Sequence, residues 1–182
     1  MTPAFDLAAA LADYRRRHPG ESAVVDLFQG LLADPGPIYE RRRLGGHFTG
    51  SAWLVDRTGE RVLLTHHRKL GRWLQLGGHA DGDPDLAAVA LKEAQEESGL
   101  ADLVVEPAVF DLDRHAIPAR GEVPEHWHYD VRFVVRATGS EDFLVGEESL
   151  DLAWKPVRDM ANDPGADESL RRMARKWLFG TL

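Results

Sequence analysis

Three carboxylates close the segment Lys92-Glu93-Ala94-Gln95-Glu96-Glu97-Ser98-Gly99-Leu100. Their spacing of three and four residues puts Glu93, Glu96 and Glu97 on one face of a helix. Held that close, they repel one another, and each resists ionising unless a cation sits among them. Hard oxygen donors grouped this way suit Mg²⁺ or Mn²⁺, which commonly share their coordination with substrate phosphates. The chemistry indicated is metal-dependent hydrolysis of a phosphoanhydride.

The same stretch also has a purely structural explanation. Asp83 is a natural N-cap, Pro84 suits the first helical position, and Asp85 meets the positive end of the helix dipole. Gly99 is placed to end the helix in a left-handed conformation. Ala87, Ala90, Leu91 and Ala94 form a small-residue face for packing on a sheet. Exposed glutamates on a helix are usually a solvated surface. Here, however, three acids occupy the last turns, where the dipole disfavours them, with only Lys92 nearby as a cation. Local stability does not account for that choice.

With the preceding glycines included, the segment resembles the box of the Nudix hydrolases, G-x5-E-x7-R-E-U-x-E-E-x-G-U with U apolar. Setting the last glycine of the pattern on Gly99 puts its first on Gly78. Glu93 then falls on the first metal-binding glutamate, Glu96 and Glu97 on the acidic pair, and Ala94 and Leu100 on apolar positions. Two residues depart from the pattern. Pro84 stands where the family has a glutamate that ties the loop together, work that Asp81, Asp83 or Asp85 is placed to do. Lys92 stands where the family has an arginine, keeping the charge but losing the planar two-pronged donor. The resemblance implies metal ligation by Glu93, Glu96 and Glu97 with the Gly77 carbonyl, and a supporting role for Lys92. It also implies a glutamate outside the box that binds metal or acts as base; Glu148 is the first choice and Glu147 the next. It covers residues 46–179 and leaves the first 45 outside.

Other residues are candidates for the substrate. The run His126-Trp127-His128-Tyr129-Asp130-Val131-Arg132-Phe133 alternates strictly, so as a strand it puts His126, His128, Asp130 and Arg132 on one face. Two histidines and an aspartate are a zinc set by type, but a flat strand seldom surrounds a tetrahedral ion alone. Lining a substrate cleft is the favoured role, with Arg132 on a phosphate and His128 and Asp130 beside a base or sugar. A polar solvent face is the bland alternative. Arg68, Lys69 and Arg72 precede the box and are placed to neutralise a diphosphate, with Arg68 chosen as the substrate contact. Trp73 reads as core before stacking platform. His79 and Asp81 either position water at a metal or bond locally within the loop.

The elements that must position these groups follow from periodicity. Residues 5–17 and 22–33 read as amphipathic helices broken at His18-Pro19-Gly20 and at Asp34-Pro35-Gly36-Pro37. Residues 47–56 and 61–66 read as a hairpin, 73–76 as a short strand, 84–98 as the box helix and 102–112 as a strand. Another strand is expected over 127–137, a loop over 118–124, a short strand over 151–154, and helices near 156–162 and 167–179. This is an α/β chain with a mixed sheet between helices; the resemblance implies a Nudix-type α/β/α sandwich. The expected organisation is an N-terminal helical extension, 1–45, and a Nudix domain, 46–182. The extension is a candidate cap or homodimer element, or plain helical packing.

Composition narrows the function further. At 182 residues the chain can bury a substantial core. A formal net charge of -8 argues against general nucleic-acid binding, which needs a basic excess to displace counterions. The absence of cysteine excludes disulfides, thiolate metal sites and a cysteine nucleophile, and counts against the isopentenyl-diphosphate isomerase relatives. No stretch is apolar enough to span a bilayer, so no membrane partner is expected and cytoplasm is the expected compartment. The reading is a Mg²⁺- or Mn²⁺-dependent enzyme that cuts the P–O–P bridge of a nucleoside diphosphate linked to another moiety. Its alternative is a catalytically weak or inactive Nudix-fold module that binds a nucleotide for regulation.

Overall fold

The structure, a computed structural model, describes residues 5–147 and 149–180. Helices α1 (Leu7–Arg17) and α2 (Ser22–Leu32), joined by a 3-10 turn at Pro19–Glu21, precede strands β1 (His47–Val55), β2 (Arg61–His67), β3 (Arg72–Leu74) and β4 (Leu76–His79). Helix α3 (Leu86–Ser98) follows, then β5 (Leu103–Ile117), β6 (His126–Ala137), β7 (Ser149–Pro156), α4 (Val157–Asn162) and α5 (Glu168–Phe179). The mixed sheet runs β3-β2-β1-β6-β5, with β4 added to β1 and β7 to β2. β1 and β6 are parallel, and the other pairs are antiparallel.

Every residue of β1 is buried, as expected of a central strand covered on both faces. Alternation then sorts its side chains. Trp53 and Val55 join Val62, Leu64 and Val134 beneath α4 and α5, whose contribution is Val157, Leu170, Met173 and Ala174. Ala52 and Leu54 point the other way, toward Ala94 of α3, with Leu63, Leu76 and Val135. Phe48, Val131 and Phe133 share that side with α1, α2 and the first half of α3. The result is the α/β/α sandwich that the resemblance implies.

The front helices belong to this core. α1 buries Leu7, Leu11 and Tyr14, and α2 buries Val25, Phe28 and Leu31, each one stripe of a helix. The Phe28 ring lies edge-on to Tyr129 at 5.4 Å and 6.1 Å from Phe48. Residues 7–32 therefore cover a sheet face that would otherwise expose aromatic side chains.

Two of the boundaries that differ from the sequence reading have a local reason. The box helix begins at Leu86, capped by Asp85, whose carboxylate accepts from Ala88 N at 2.9 Å. Asp83, expected as the cap, accepts from Asp85 N at 2.9 Å, so Asp83-Pro84 forms a turn ahead of the helix. β5 runs five residues beyond its expected end at Leu112. A register shift between Val109 and Asp111 interrupts the alternation there. Gly99 ends α3 at φ 71°, in the left-handed region, as its position predicts.

That bulge delivers Asp111, 0% exposed, into a buried ion cluster. Asp111 accepts from Arg172 at 2.7 Å, Lys176 at 2.7 Å and Arg132 at 3.2 Å. Burial raises the pKa of its carboxyl, but the Arg172 hydrogen bond and the surrounding cations outweigh that and hold it below the usual carboxylate range. Asp113 is held down against burial by His115, Arg132 and Arg172. Lys176 also donates to the Tyr14 hydroxyl at 2.6 Å, and that hydroxyl donates to Glu21, so α1, the sheet and α5 are tied at one point. Removing one member of such a set strands the others. Asp111→Asn is expected to cost about 3–5 kcal/mol in urea unfolding at pH 7. Both aspartates titrate lower when folded than the ordinary 3.8, so their contribution is present above that pH and is lost as pH falls below it. The stability gap between wild type and Asp111→Asn should therefore narrow under acid; a gap unchanged down to pH 3 would refute the assignment.

Candidate active site

The box glutamates meet the sheet at β4. Leu76 to His79 pair antiparallel with residues 49–52 of β1, so the two glycines lie inside a strand and not in the loop that sequence suggested. α3 can come close because the strand lacks side chains there. A Cβ on Gly78 would stand 2.6 Å from the Glu93 carboxyl, and one on Gly77 would stand 2.7 Å from Ser51 Cα. Glu97 accepts from Gly77 N at 2.8 Å. Glu93 and Glu97 are thus brought together against the Gly77-Gly78 backbone.

Glu96 goes elsewhere. Its side chain is 60% exposed, with Lys92 Nζ at 3.8 Å from Oε1. Lys92 is itself exposed, and this contact spans one helical turn. Among the described residues, three box carboxylates do not gather within 4.8 Å; the set that does is His47, His126 and His128. Glu148, the expected base, lies outside the described residues. Of the three aspartates around Pro84, Asp81 has its carboxylate gripped by Arg41 at 2.6 and 2.8 Å. That hydrogen bond is the largest of the effects that hold the Asp81 carboxyl below its usual range.

The residues expected on substrate fall in two places. Arg68 donates to the carbonyls of Glu147 at 3.0 Å and Ser149 at 3.1 Å, fixing both residues near the end of β2. Arg132, expected on a phosphate, is instead 2% exposed, with Nε on Asp130 at 2.7 Å and its other nitrogens on Asp111 and Asp113. Asp130 is buried with it and accepts from Thr49 at 2.8 Å and Ser51 at 2.7 Å. These two side chains knit β6 to β1 and β5, and their polar atoms are taken. The shared face was read correctly; what it faces is protein.

His128 has different company. The register sets His47, His128 and His115 side by side across β1, β6 and β5. His126 stands two residues along the same face, and His79 of β4 lies 5.1 Å from His128 between ring centroids. Burial first, then the Arg41 charge and the His47 ring, bring the His79 pKa down to about 4. Burial and the neighbouring rings push His128 well below the ordinary imidazole range. His47 is lowered as well, chiefly by burial. These rings are neutral at pH 7. Sequence reasoning missed His47, His115 and the Asp111, Arg172 and Lys176 cluster. Only His115, two residues after Asp113 in an alternating strand, left a trace.

A family model described as the NUDIX domain matches residues 47–177. The chain belongs to the Nudix family. Among solved structures, a C. elegans Ap4A hydrolase in a binary complex superposes with a TM-score of 0.56 at 18% identity, over 73% of this chain and 98% of that one. The MutT protein from Methanosarcina mazei Go1 gives 0.58 at 15% identity, over 74% and 94%. A UDP-X diphosphatase gives 0.54 at 15% identity, over 88% and 71%. These are likenesses of fold. No curated protein matches the chain in sequence.

The glycine geometry makes a ranked prediction. In Gly78→Ala the new methyl meets the far end of the Glu93 side chain, which can swing away. In Gly77→Ala it meets Ser51 backbone. Gly77→Ala is therefore expected to lose about 1–3 kcal/mol more in denaturant unfolding than Gly78→Ala. Equal losses would mean that β4 and β1 are less closely packed at Gly77 than described.

Proposed function

We propose that this protein hydrolyses the P–O–P bridge of a nucleoside diphosphate linked to a second group, using Mg²⁺ or Mn²⁺. The observation that carries the proposal is the convergence of Glu93 and Glu97 on the Gly77-Gly78 strand, where a Cβ on Gly78 would invade the Glu93 carboxylate. Glu93, Glu97 and the Gly77 carbonyl are hard oxygen donors and would hold the ion, with Glu96 joining after a side-chain rotation from Lys92. Once bound, the metal supplies charge neutralisation on the phosphate oxygens and a more acidic water.

The chain's own residues do the rest. Gly77 N–H fixes one oxygen of Glu97 and so sets where its carboxylate stands. Glu96 or Glu148 takes the proton from the attacking water. Lys92 steadies Glu96 by charge. Arg68 holds the carbonyls of Glu147 and Ser149, in place of the direct phosphate contact first expected of it. His128 faces the histidine cluster, while Arg132 and Asp130 keep the three strands in register. The solved neighbours titled Ap4A hydrolase and UDP-X diphosphatase support a nucleoside diphosphate derivative as the substrate class.

The outward-turned Glu96 favours one second reading, a Nudix-fold module that binds a nucleotide without cutting it. A panel of dinucleoside polyphosphates, nucleotide sugars and ADP-ribose, with and without Mg²⁺, separates the two. The expected result is metal-dependent cleavage of at least one compound. Glu97→Gln should lose at least about 100-fold in turnover, since even residues that only support a ligand cost 10–100-fold, with its fold checked by circular dichroism. Nucleotide binding without Mg²⁺-dependent cleavage would favour the binding module and defeat the enzyme reading.

A further inference from the structure

The histidines on the α5 side of the sheet form a second constellation, separate from the box glutamates. One ring nitrogen from each of His47, His126 and His128 lies within 4.8 Å of the other two. The remaining nitrogens of two of these rings are spoken for. His47 Nδ1 lies 3.4 Å from the Arg43 carbonyl and His126 Nδ1 lies 3.0 Å from the Pro124 carbonyl. A carbonyl only accepts, so both rings carry their proton on Nδ1 and present a bare Nε2 lone pair. Backbone anchoring of the outer nitrogen is how metal-bound histidines are usually oriented.

Two further observations point to a ligand. His47 is 1% exposed, and its Nε2 is buried with no hydrogen-bond partner. Leaving such an acceptor unsatisfied costs about 1–3 kcal/mol. His126 Nε2 and His128 Nε2 stand 3.3 Å apart. With Zn–N bonds of about 2.0–2.1 Å, the edge of a tetrahedron around zinc is about 3.3 Å. One edge of the coordination figure is already set, and His47 brings a third ring nitrogen within 4.8 Å of that pair.

We propose that His47, His126 and His128 bind Zn²⁺ through their Nε2 atoms, leaving the fourth position for water or an added ligand. The objection that one flat strand cannot surround a tetrahedral ion is met by topology. β1 lies parallel to β6 with His47 opposite His128, so the ligands come from two strands. Asp130, the acidic partner that the single-strand reading supplied, is occupied by Thr49, Ser51 and Arg132. Three neutral imidazoles with no thiolate suit zinc and neighbouring late first-row ions better than Mg²⁺.

The test uses the intact chain, stripped with chelator and titrated with Zn²⁺ against a chromophoric chelator of micromolar affinity. One equivalent is expected to bind wild type and, equally, Glu97→Gln, which separates this site from the box. Co²⁺ in place of Zn²⁺ should give the strong visible absorption of a tetrahedral site. His126→Gln, a partly exposed position at a strand end, should weaken binding by at least about 100-fold while its metal-free circular dichroism and Tm stay unchanged. His47→Gln should do the same. If wild type fails to compete with the chelator, or if His126→Gln binds Zn²⁺ as wild type does, the site is not there. Zn²⁺ binding abolished by Glu97→Gln and untouched by the histidine variants would likewise overturn it.

Discussion

Asp111 is buried to the last atom and still charged, and the placement of much else follows from that. Its carboxylate accepts from Arg132 of β6 and from Arg172 and Lys176 of α5, while Lys176 reaches Tyr14 of α1. A hydrophobic replacement of the whole set would often be as stable, so a cluster like this is better understood through the arrangements it forbids. A slip of one residue in β5 would turn Asp111 away from three cations. The bulge before it belongs to the same constraint: Phe110 packs with Trp53 while Asp111 serves the same α5 side, which regular alternation does not allow. The price of twisting β5 there is offset by a register that holds for the rest of its pairing with β6.

That register is what assembles the two sites. From Asp111 opposite Arg132, the ladder steps to Asp113 opposite Asp130 and His115 opposite His128. The parallel partner β1 carries it on to Thr49 and His47. Along this face, charge gives way to hydroxyls and then to neutral rings within a few residues. β4 joins the same end and faces both ways. Gly78 leaves room for Glu93 on the α3 side, while His79 stands among the histidines on the other. One strand therefore fixes the distance between the carboxylate site and the imidazole site, and neither can shift without the other.

Residues that act through spacing along one element were legible in the sequence. The helix positions of Glu93 and Glu97, the Gly99 stop, the hydrophobic stripes of α1 and α2 and the shared face of His126, His128, Asp130 and Arg132 all follow from local periods. What faced that surface was not legible, because a strand's alternation says nothing of its neighbours. Arg132 read as a surface cation because its three acids come from residues 111, 113 and 130, two of them on another strand across a bulge. His47 sat unremarked at the start of a hairpin because its partner His128 is 81 positions away and joined by parallel pairing. The glycine pair fell outside the expected strands since glycine weakens a strand; in the fold Gly78 leaves room for Glu93 of α3 and Gly77 lets β4 lie against Ser51 of β1.

The stretch ahead of the family match bears on both sites. Ile38 carbonyl accepts from Phe48 N at 2.8 Å, and Tyr39 carbonyl accepts from Gly82 N at 2.9 Å, so the segment bridges β1 and the box loop. Arg41 then grips Asp81, a residue held at φ 49°, a left-handed conformation that costs energy unless something external holds it. In the family pattern a glutamate ties this loop from within, and here Pro84 occupies that place. A cation from outside the matched region takes over the work. Two residues on, the Arg43 carbonyl sets the tautomer of His47. The front segment thus holds the box loop through Arg41 on one side and the His47 ring through the Arg43 carbonyl on the other, and it is tied to both neighbourhoods as well as packed on the sheet.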